Sequence, residues 1–377
     1  MHVNSMQGFY SRHVNSPASN PTQGIGAAKN YILQQFEEIR ANSYQNSFVV
    51  FTHTFPVNWA NTRVEGTNVV GILNGTEPER GIIVIGAHYD SMSLDFEDGN
   101  AYAPGANDNG SGVAALIELA HILSQRPHRA TIMFIAFGAE EVQRQGSIAF
   151  VKDYIQGQNI KVDYMINMDI IGSSTGPNGS FIDNQIRLFS AEPNNSSSRE
   201  MARMFNLIVS RYVPDMSVLL EAAADREGRY SDHMSFNEVG IAAVRFIEAL
   251  ENPNLQHTDR DRWEAMRPAY LTRSTQTILA CVTVLADGPR PPQNIVLRPN
   301  ENGTRTLVWD TTPDAAGYLV ALRAPNSLAF NDYFPTTSNS SGEWDKFTPQ
   351  FYEGVAVFSV DANGLMGPVS FEYRIAN

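Results

Sequence analysis

The sequence has a single cysteine, Cys281, among its 377 residues. One cysteine can form neither an internal disulfide nor a thiolate zinc cluster, so both are excluded. Long hydrophobic runs are also absent: a stretch such as Ile278–Ala286 is far shorter than the about 20 residues that a membrane-spanning helix needs. Lysine and arginine form no runs, and the formal net charge is −13, which argues against a nucleic-acid partner.

The composition is that of a globular protein with room for two domains. Apolar residues make up 42% of the chain and charged residues 18%, which permits a sizeable core and excludes wholesale disorder. The segment 288–293 reads Gly-Pro-Arg-Pro-Pro-Gln, a composition typical of linkers. We therefore predict a large domain over residues 1–287 and a small domain over residues 288–377, with few contacts between them.

Strand-like and helix-like segments alternate along the first domain. Helical periodicity predicts helices at 24–41, 112–125, 147–156, 198–211 and 269–286. Short apolar runs predict strands at 48–55, 67–73, 82–87, 131–137, 162–168 and 241–247. This alternation predicts an α/β fold with a mixed, mainly parallel central sheet. After the linker the helical period disappears, and short alternating runs predict a C-terminal all-β sandwich.

Polar residues follow several of the predicted strands. Ligands gather at the carboxyl ends of the strands in parallel α/β sheets. Each such residue also has an ordinary structural explanation, such as a helix N-cap or a solvated surface. Together, however, two histidines and three carboxylates make a ligand set for two zinc ions that share one carboxylate, with a further glutamate as base. The residues at or near strand ends are His88, Asp90, Asp108, Glu140, Glu141, Asp169 and His257.

These residues lie in motifs that resemble those of the di-zinc exopeptidases of metallopeptidase family 28. That family includes bacterial secreted leucine aminopeptidases, glutamate carboxypeptidases and glutaminyl cyclases. The resemblance covers residues 8–286, and the order and approximate spacing of the motifs fit. The matching segments are 86–91, 104–112, 137–141, 167–172, 231–233 and 257–258 with Asp261.

The resemblance implies a three-layer zinc-exopeptidase fold and two Zn²⁺ per chain. It implies that Asp108 bridges both ions and that His88 and Asp169 complete one site. It further implies that Glu141 and His257 complete the other site.

Other residues acquire expected roles from the same resemblance. Glu140 becomes the general base, and Asp90 holds His88 from behind. A cis peptide bond is expected after Asp108. Arg229 and Tyr230 are expected to line the substrate pocket and to help stabilise the tetrahedral intermediate.

The metal-binding histidine and the oxyanion donor each have more than one candidate residue near these motifs. The segment 231–233 reads Ser-Asp-His and resembles a metal motif, but in this family the later His-Thr binds metal, so we assign His257 rather than His233. Relatives can place a tyrosine directly before that last histidine, whereas this chain has Gln256. The oxyanion donor is therefore open, with Tyr230 and Arg229 as the substitutes.

The leading hypothesis is a secreted or otherwise extracytoplasmic di-zinc aminopeptidase acting on peptides. No leader precedes the first element, so the alternative location is the cytoplasm. A carboxypeptidase of the same family is the main alternative function, and Arg229 and Arg245 keep it open. A glutaminyl cyclase would use one zinc, and an inactive binding module would not need all five ligands and Glu140. A monomer is slightly favoured.

Two further expectations concern substrate and accessory regions. We expect an apolar side-chain pocket near Met234, Phe236 and Ile247, and hence a preference for Leu- or Met-like first residues. The C-terminal domain resembles a fibronectin type III module, because Trp309 fits its core tryptophan and the segments 317–320 and 355–364 fit two of its strands.

Overall fold

The computed structural model describes residues 1–226 and 230–376. The α-helices of these residues are α1 (His2–Gly8), α2 (Gly24–Asn42), α3 (Gly110–Leu123), α4 (Gln145–Phe150), α5 (Ser197–Tyr212), α6 (His233–Asn237) and α7 (Pro268–Asp287). The strands before the linker are β1 (Phe48–Trp59), β2 (Thr62–Leu73), β3 (Ile82–His88), β4 (Thr131–Phe137), β5 (Val162–Met168), β6 (Gln185–Ser190), β7 (Ser217–Leu220) and β8 (Ala242–Glu248). The strands after it are β9 (Val296–Pro299), β10 (Arg305–Val308), β11 (Gly317–Arg323), β12 (Asp332–Thr336), β13 (Ser340–Trp344), β14 (Gly354–Val360), β15 (Met366–Val369) and β16 (Tyr373–Arg374).

Eight strands form one central sheet in the order β1-β2-β4-β3-β5-β8-β6-β7. The four central strands, β4, β3, β5 and β8, are parallel to one another. Antiparallel pairs join β1 to β2, β2 to β4 and β6 to β8. The predicted mixed, mainly parallel sheet is therefore confirmed, and its four central strands end at the same edge.

Helices cover both faces of this sheet. Alternate residues of a strand point to opposite faces, and in β4 Phe134 packs on one face while Met133 packs on the other. The first face is covered by α2, α3, α5 and α7, and the second by α4, the π-helical turn Val151–Gln156 that follows it, and α6. This three-layer arrangement explains why the central strands are almost continuously apolar.

The region after the linker contains two antiparallel sheets. One has the order β13-β10-β9, and the other has the order β12-β11-β14-β15 with β16 paired to β14. Leu307 and Trp309 on the first sheet share a core with Val320 and Val357 on the second. The predicted C-terminal all-β sandwich is confirmed in this sense.

The expectation of few contacts across the linker is wrong. Leu319, Phe358 and Met366 of the C-terminal region belong to the same hydrophobic core as α5 and α7. The linker itself lies close to β15, because a Cβ added at Gly288 would collide with the backbone of Met366. An apolar sheet face meets an apolar helix surface here, so the two regions share one core.

Among the described residues, no helix combines the length and the apolar character that crossing a membrane would require.

Candidate metal centre

Five predicted ligands converge beyond the carboxyl ends of the central strands. His88 is the last residue of β3, and Asp169 directly follows β5. Glu141 lies in the turn after β4, and His257 lies in the loop between β8 and α7. Asp108 lies in the loop that enters α3. Parallel strands end at a common edge, so residues far apart in sequence meet there.

The five residues form two groups that meet at Asp108. His88 Nε2 lies 3.4 Å from Asp108 Oδ1 and 3.4 Å from Asp169 Oδ1. His257 Nε2 lies 3.3 Å from Asp108 Oδ2 and 3.0 Å from Glu141 Oε2. Each oxygen of the Asp108 carboxylate therefore faces a different histidine, which is the pairing expected from the sequence.

These residues fit zinc in spacing and in chemistry. Two ligand atoms about 2.1 Å from a tetrahedral Zn²⁺ are about 3.4 Å apart, close to the distances within both groups. His88, Asp108 and Glu141 by themselves offer one ligand atom each within 4.8 Å of one another. Asp169 Oδ1 and Glu141 Oε1 are buried without a hydrogen-bond partner, which is costly unless a cation lies nearby.

The charges of the protein alone show how strongly the site favours cations. Burial alone would raise the pKa of the Asp108 carboxyl, but hydrogen bonds from His257 and His88 bring it below its usual range. The Glu141 carboxylate raises the pKa of the His257 imidazole well above its usual value. The histidines and the carboxylates thus favour one another's charged forms, and a bound metal would take the place of the histidine protons.

Asp90 supports three residues of the site. Its Oδ1 lies 3.5 Å from His88 Nδ1, on the side of the ring away from Asp108. Its two carboxylate oxygens also accept hydrogen bonds from the backbone N–H groups of Glu140 and Glu141, both at 3.0 Å. Asp90 therefore lies behind His88, where it was expected. Its hydrogen bonds to the backbone of Glu140 and Glu141 were not expected from the sequence.

Asp261 supports Asp108 in a similar way. Its Oδ1 accepts a hydrogen bond from Asn107 N at 2.9 Å, and its Oδ2 accepts one from Asp108 N at 2.8 Å. Burial raises the pKa of Asp261 to about 6. The last sequence motif includes Asp261 but indicates no role for it, because nothing in the local sequence shows which backbone N–H groups it would contact.

Asp169 is fixed by a buried arginine and a serine. Arg245 Nη2 on β8 lies 3.0 Å from Asp169 Oδ2, and Ser231 Oγ donates to the same oxygen at 2.6 Å. Burial alone would raise the pKa of Asp169, but Arg245 and His88 lower it to about 2. The carboxylate therefore stays ionised, with Oδ1 directed at His88.

Glu140 lies beside the ligands without joining either group. Its Oε2 is 4.0 Å from His88 Nε2, and its side chain is 11% exposed. Burial raises the pKa of its carboxyl well above the usual value, and Asp169 and Asp232 add to the shift. A carboxyl that lies next to the ligands without joining either group is in the position that a general base would need.

Several residues in or next to the site have backbone conformations that L-residues rarely adopt, three of them beside or at predicted ligands. The φ angles are 62° at Ala139, 60° at Ile170 and 59° at His257. A positive φ is especially unusual for a β-branched residue such as Ile170. Such conformations concentrate at functional sites, where the surrounding structure enforces them. The peptide bond between Asp108 and Asn109 is cis, as the resemblance implied.

The histidine of the Ser-Asp-His motif is not part of either group. His233 is buried at the start of α6, and burial lowers its pKa to about 3. The neighbouring carboxyl of Asp232 is fully buried, and burial raises its pKa to about 7. His233 is therefore neutral and buried away from the two groups, and His257 rather than His233 meets Glu141.

The ligand groups open into a cleft of about 480 Å³. Tyr230 lines this cleft with its side chain 57% exposed, whereas Arg229 lies outside the described residues. Gln256 lines it as well, at the position where relatives can have tyrosine. The full lining is His88, Asp108, Glu140, Glu141, Gln143, Arg144, Asp169, Ile170, Arg226, Tyr230, Arg245, Gln256 and His257.

The expected apolar pocket is in a different place. Phe236 is fully buried and packs edge-on against Phe137 in the core, so it does not reach the cleft. Ile247 is also fully buried, where it supports Ile170 from behind. Ile170 is the apolar residue that lines the cleft among the described residues, so the apolar surface next to the ligands is centred there.

The chain is similar in sequence to a peptidase family and to known zinc metalloproteases. The model of peptidase family M28 matches residues 68–282. A probable zinc metalloprotease of Leptosphaeria maculans is 31% identical over 355 residues, covering 85% of this chain and 82% of that protein. A probable zinc metalloprotease of Pyricularia oryzae is 33% identical over 362 residues, covering 84% of this chain and 70% of that protein.

Solved structures share the fold. The LapA aminopeptidase of Legionella pneumophila superposes with a TM-score of 0.58 at 23% identity, covering 74% of this chain and 69% of that one. A Zn-dependent exopeptidase of Parabacteroides distasonis superposes with a TM-score of 0.57 at 18% identity, covering 75% of this chain and 95% of that one. From its family match and its relatives, the chain belongs to peptidase family M28.

Proposed function

We propose that the protein is a di-zinc aminopeptidase that removes N-terminal residues from peptides. The observation that carries this proposal is the position of Asp108, whose two carboxylate oxygens face two different histidines at 3.4 and 3.3 Å. Asp108, His88 and Asp169 would hold one ion, and Asp108, Glu141 and His257 would hold the other. A glutaminyl cyclase would need only one of these groups, so the presence of both favours the peptidase.

Zinc would supply an acidic water and a polarising centre for the scissile carbonyl. The chain's own residues then have defined tasks. Two Zn²⁺ together with three ligand carboxylates would carry one net positive charge. This positive charge would help to keep the Glu140 carboxylate ionised. Glu140 can accept the proton of the attacking water and later donate it to the leaving amine. Asp90 holds the backbone of Glu140 in place through its N–H.

Specificity for the amino end is supported by the charges that line the cleft. An α-ammonium group needs carboxylates beside the metals, and Asp169 and Glu140 supply them. The arginines that line the cleft already form ion pairs with carboxylates. Arg245 pairs with Asp169, Arg144 pairs with Glu238 at 3.0 Å, and Arg226 lies 3.9 Å from Glu251. A peptide carboxylate would have to compete with these partners.

A carboxypeptidase is the second candidate. Arg144, Arg226 and Arg245 all line the cleft, and cations are what a C-terminal carboxylate requires. The two candidates differ in which end of the peptide must be free.

The deciding experiment compares a peptide with free termini with its N-acetylated and its C-amidated forms. An aminopeptidase releases the first residue from the free and the amidated peptide and leaves the acetylated one intact. A carboxypeptidase releases the last residue from the free and the acetylated peptide. Elemental analysis of the same preparation should find about two zinc per chain, because the five ligands form two groups.

We further propose that residues 1–287 form the catalytic domain and that residues 288–377 form a fibronectin type III-like module. The three-stranded and larger antiparallel sheets with Trp309 in the shared core support this assignment. We also propose a secreted monomer. Fractionation of cells that express the natural protein tests the location, and light scattering tests the oligomeric state.

A further inference from the structure

We infer that Phe96 contacts the side chain of the second residue of the peptide, on the leaving side of the scissile bond. This inference rests on the proposed aminopeptidase function. It concerns the loop 91–103, which connects β3 to the loop of Asp108 and carries two exposed apolar side chains, Leu94 and Phe96.

Phe96 is in contact with a predicted metal ligand. The centroid of its ring is 6.5 Å from that of the His257 ring, and the two rings are nearly perpendicular at 87°. His257 lines the cleft, and Phe96 lies directly beside it with 50% of its surface exposed. The phenyl ring therefore lies at the border of the cleft, next to the histidine that meets Glu141.

The backbone of Phe96 is held firmly although its side chain is exposed. Its carbonyl oxygen accepts a hydrogen bond from Trp59 Nε1 at 2.6 Å and contacts His13 Nε2 at 3.2 Å. The loop also packs closely on the N-terminal segment, because a Cβ added at Gly99 would lie 2.6 Å from the backbone of Asn15. A fixed, exposed aromatic ring is a ready contact for an apolar group that would be buried on binding.

The position of Phe96 relative to the two ligand groups indicates which residue it contacts. Asp169 lies in the group with His88 and is followed by Ile170, the apolar residue that lines the cleft. The α-ammonium and the first side chain fit that end, where a carboxylate and an apolar surface are adjacent. With the scissile carbonyl over Asp108, the chain then continues towards His257 and Phe96. The second side chain is therefore the one that reaches the phenyl ring.

The test uses tripeptides that differ only in the second residue, Leu-Phe-Gly and Leu-Gly-Gly. We expect the wild-type kcat/KM to be about tenfold or more higher for Leu-Phe-Gly, as an apolar contact of this size typically gives. Phe96→Ala should reduce this ratio to near one by slowing only Leu-Phe-Gly. Phe96→Leu should restore part of the ratio, and Glu97→Gln in the same loop should leave it unchanged. Zinc content should be the same in all variants.

A second variant tests how Phe96 is held. Trp59→Phe removes the indole N–H that donates to the Phe96 carbonyl and keeps an aromatic ring. It should lower the Leu-Phe-Gly to Leu-Gly-Gly ratio by a few fold while kcat for Leu-Gly-Gly stays constant. Trp59 is a positioning residue, and a purely structural role would lower both rates together.

Three results would overturn the inference, and they can be told apart. If Phe96→Ala slows both peptides equally, the ring has a structural role only. If it changes the ratio of Leu-Gly-Gly to Ala-Gly-Gly instead, Phe96 contacts the first residue. If the wild-type protein releases the last residue rather than the first, the proposed aminopeptidase function fails and this inference fails with it.

Discussion

Glu140 and Glu141 are neighbours in the chain, yet their carboxylates have different surroundings. Glu141 Oε2 is 3.0 Å from His257 Nε2, whereas Glu140 Oε2 is 4.0 Å from His88 and belongs to neither ligand group. Asp90 fixes the backbone of both residues, because each of its carboxylate oxygens accepts a hydrogen bond from one of the two N–H groups. Under the proposed function, Glu141 would be the ligand and its neighbour Glu140 the base.

We predict that Glu140→Gln retains zinc but loses activity. An amide cannot accept the proton of water, and general bases typically contribute about 10²–10⁴-fold to turnover. Peptide hydrolysis and zinc analysis on one preparation measure both quantities. Glu141→Gln is the matched control and should lose zinc as well as activity. Near-native turnover in Glu140→Gln would show that Glu140 is not the base.

Asp108→Ala should lose both metal ions, because Asp108 is the residue shared by the two ligand groups. Removal of His88 or His257 should affect one group more than the other. Elemental analysis after dialysis gives the zinc count for each variant. If Asp108→Ala kept two tightly bound ions, the bridging assignment would have to be abandoned.

Asp261→Asn should weaken zinc binding without removing a ligand. The aspartate accepts from two consecutive backbone N–H groups, and an amide side chain offers one oxygen for them. Residues that orient a ligand typically affect metal affinity by about 10–100-fold. Competition with a chelator measures the affinity. Asp259→Asn is the control, because Asp259 is exposed in the same loop; equal affinities for the two variants would exclude the orienting role.

Residue types at or near the ends of predicted strands indicated a set of histidine and carboxylate ligands, and the family resemblance supplied their division into two groups. Neither was sufficient for Arg12, which lies in the N-terminal segment away from every motif. Arg12 is fully buried and donates to the carbonyl oxygens of Tyr89, Pro104 and Gly105. Such a contact depends on tertiary packing, and no local pattern indicates it.

At the scale of elements, the long periodic segments were predicted within a few residues. Helix 24–41 is α2 (Gly24–Asn42), and strand 131–137 is β4 (Thr131–Phe137). The apolar pattern did not predict β6 and β7, the two short strands at one edge of the sheet. In β7 only four residues pair, and half of them are exposed, so the apolar pattern is too short to detect.

Arg12→Lys should loosen the contact between the N-terminal segment and the loops that lead to Asp108. A lysine cannot reach several carbonyl oxygens in different directions at once, and each lost charged hydrogen bond costs about 1.5–3 kcal/mol. We expect a lower thermal midpoint and weaker zinc retention. Arg63→Lys, exposed on β2, should leave the midpoint unchanged. If the two variants melt alike, Arg12 does not hold these loops.

At the scale of the whole molecule, the C-terminal sandwich is joined to the peptidase region by direct contacts as well as by the linker. Tyr212 on α5 donates to the carbonyl of Gly364 at 2.8 Å and accepts from the N–H of Met366 at 2.9 Å. Arg203 on the same helix is fully buried and donates to the carbonyl of Leu328 at 3.0 Å. Composition indicated a linker but carried no information on these contacts.

We therefore predict that the full chain unfolds as one cooperative unit. Truncation after Ala286 would expose the apolar surface of α5 and α7 and remove two of the partners of Arg203, Leu328 and Glu372, so the shortened chain should aggregate or melt far below the full chain. Met366→Asp places a charge in the shared core and should destabilise the full chain, because an unpaired buried charge is costly. Asn363→Asp, exposed in the same turn, is the control. Two separate calorimetric transitions, with only the second shifted by Met366→Asp, would show that the domains fold independently.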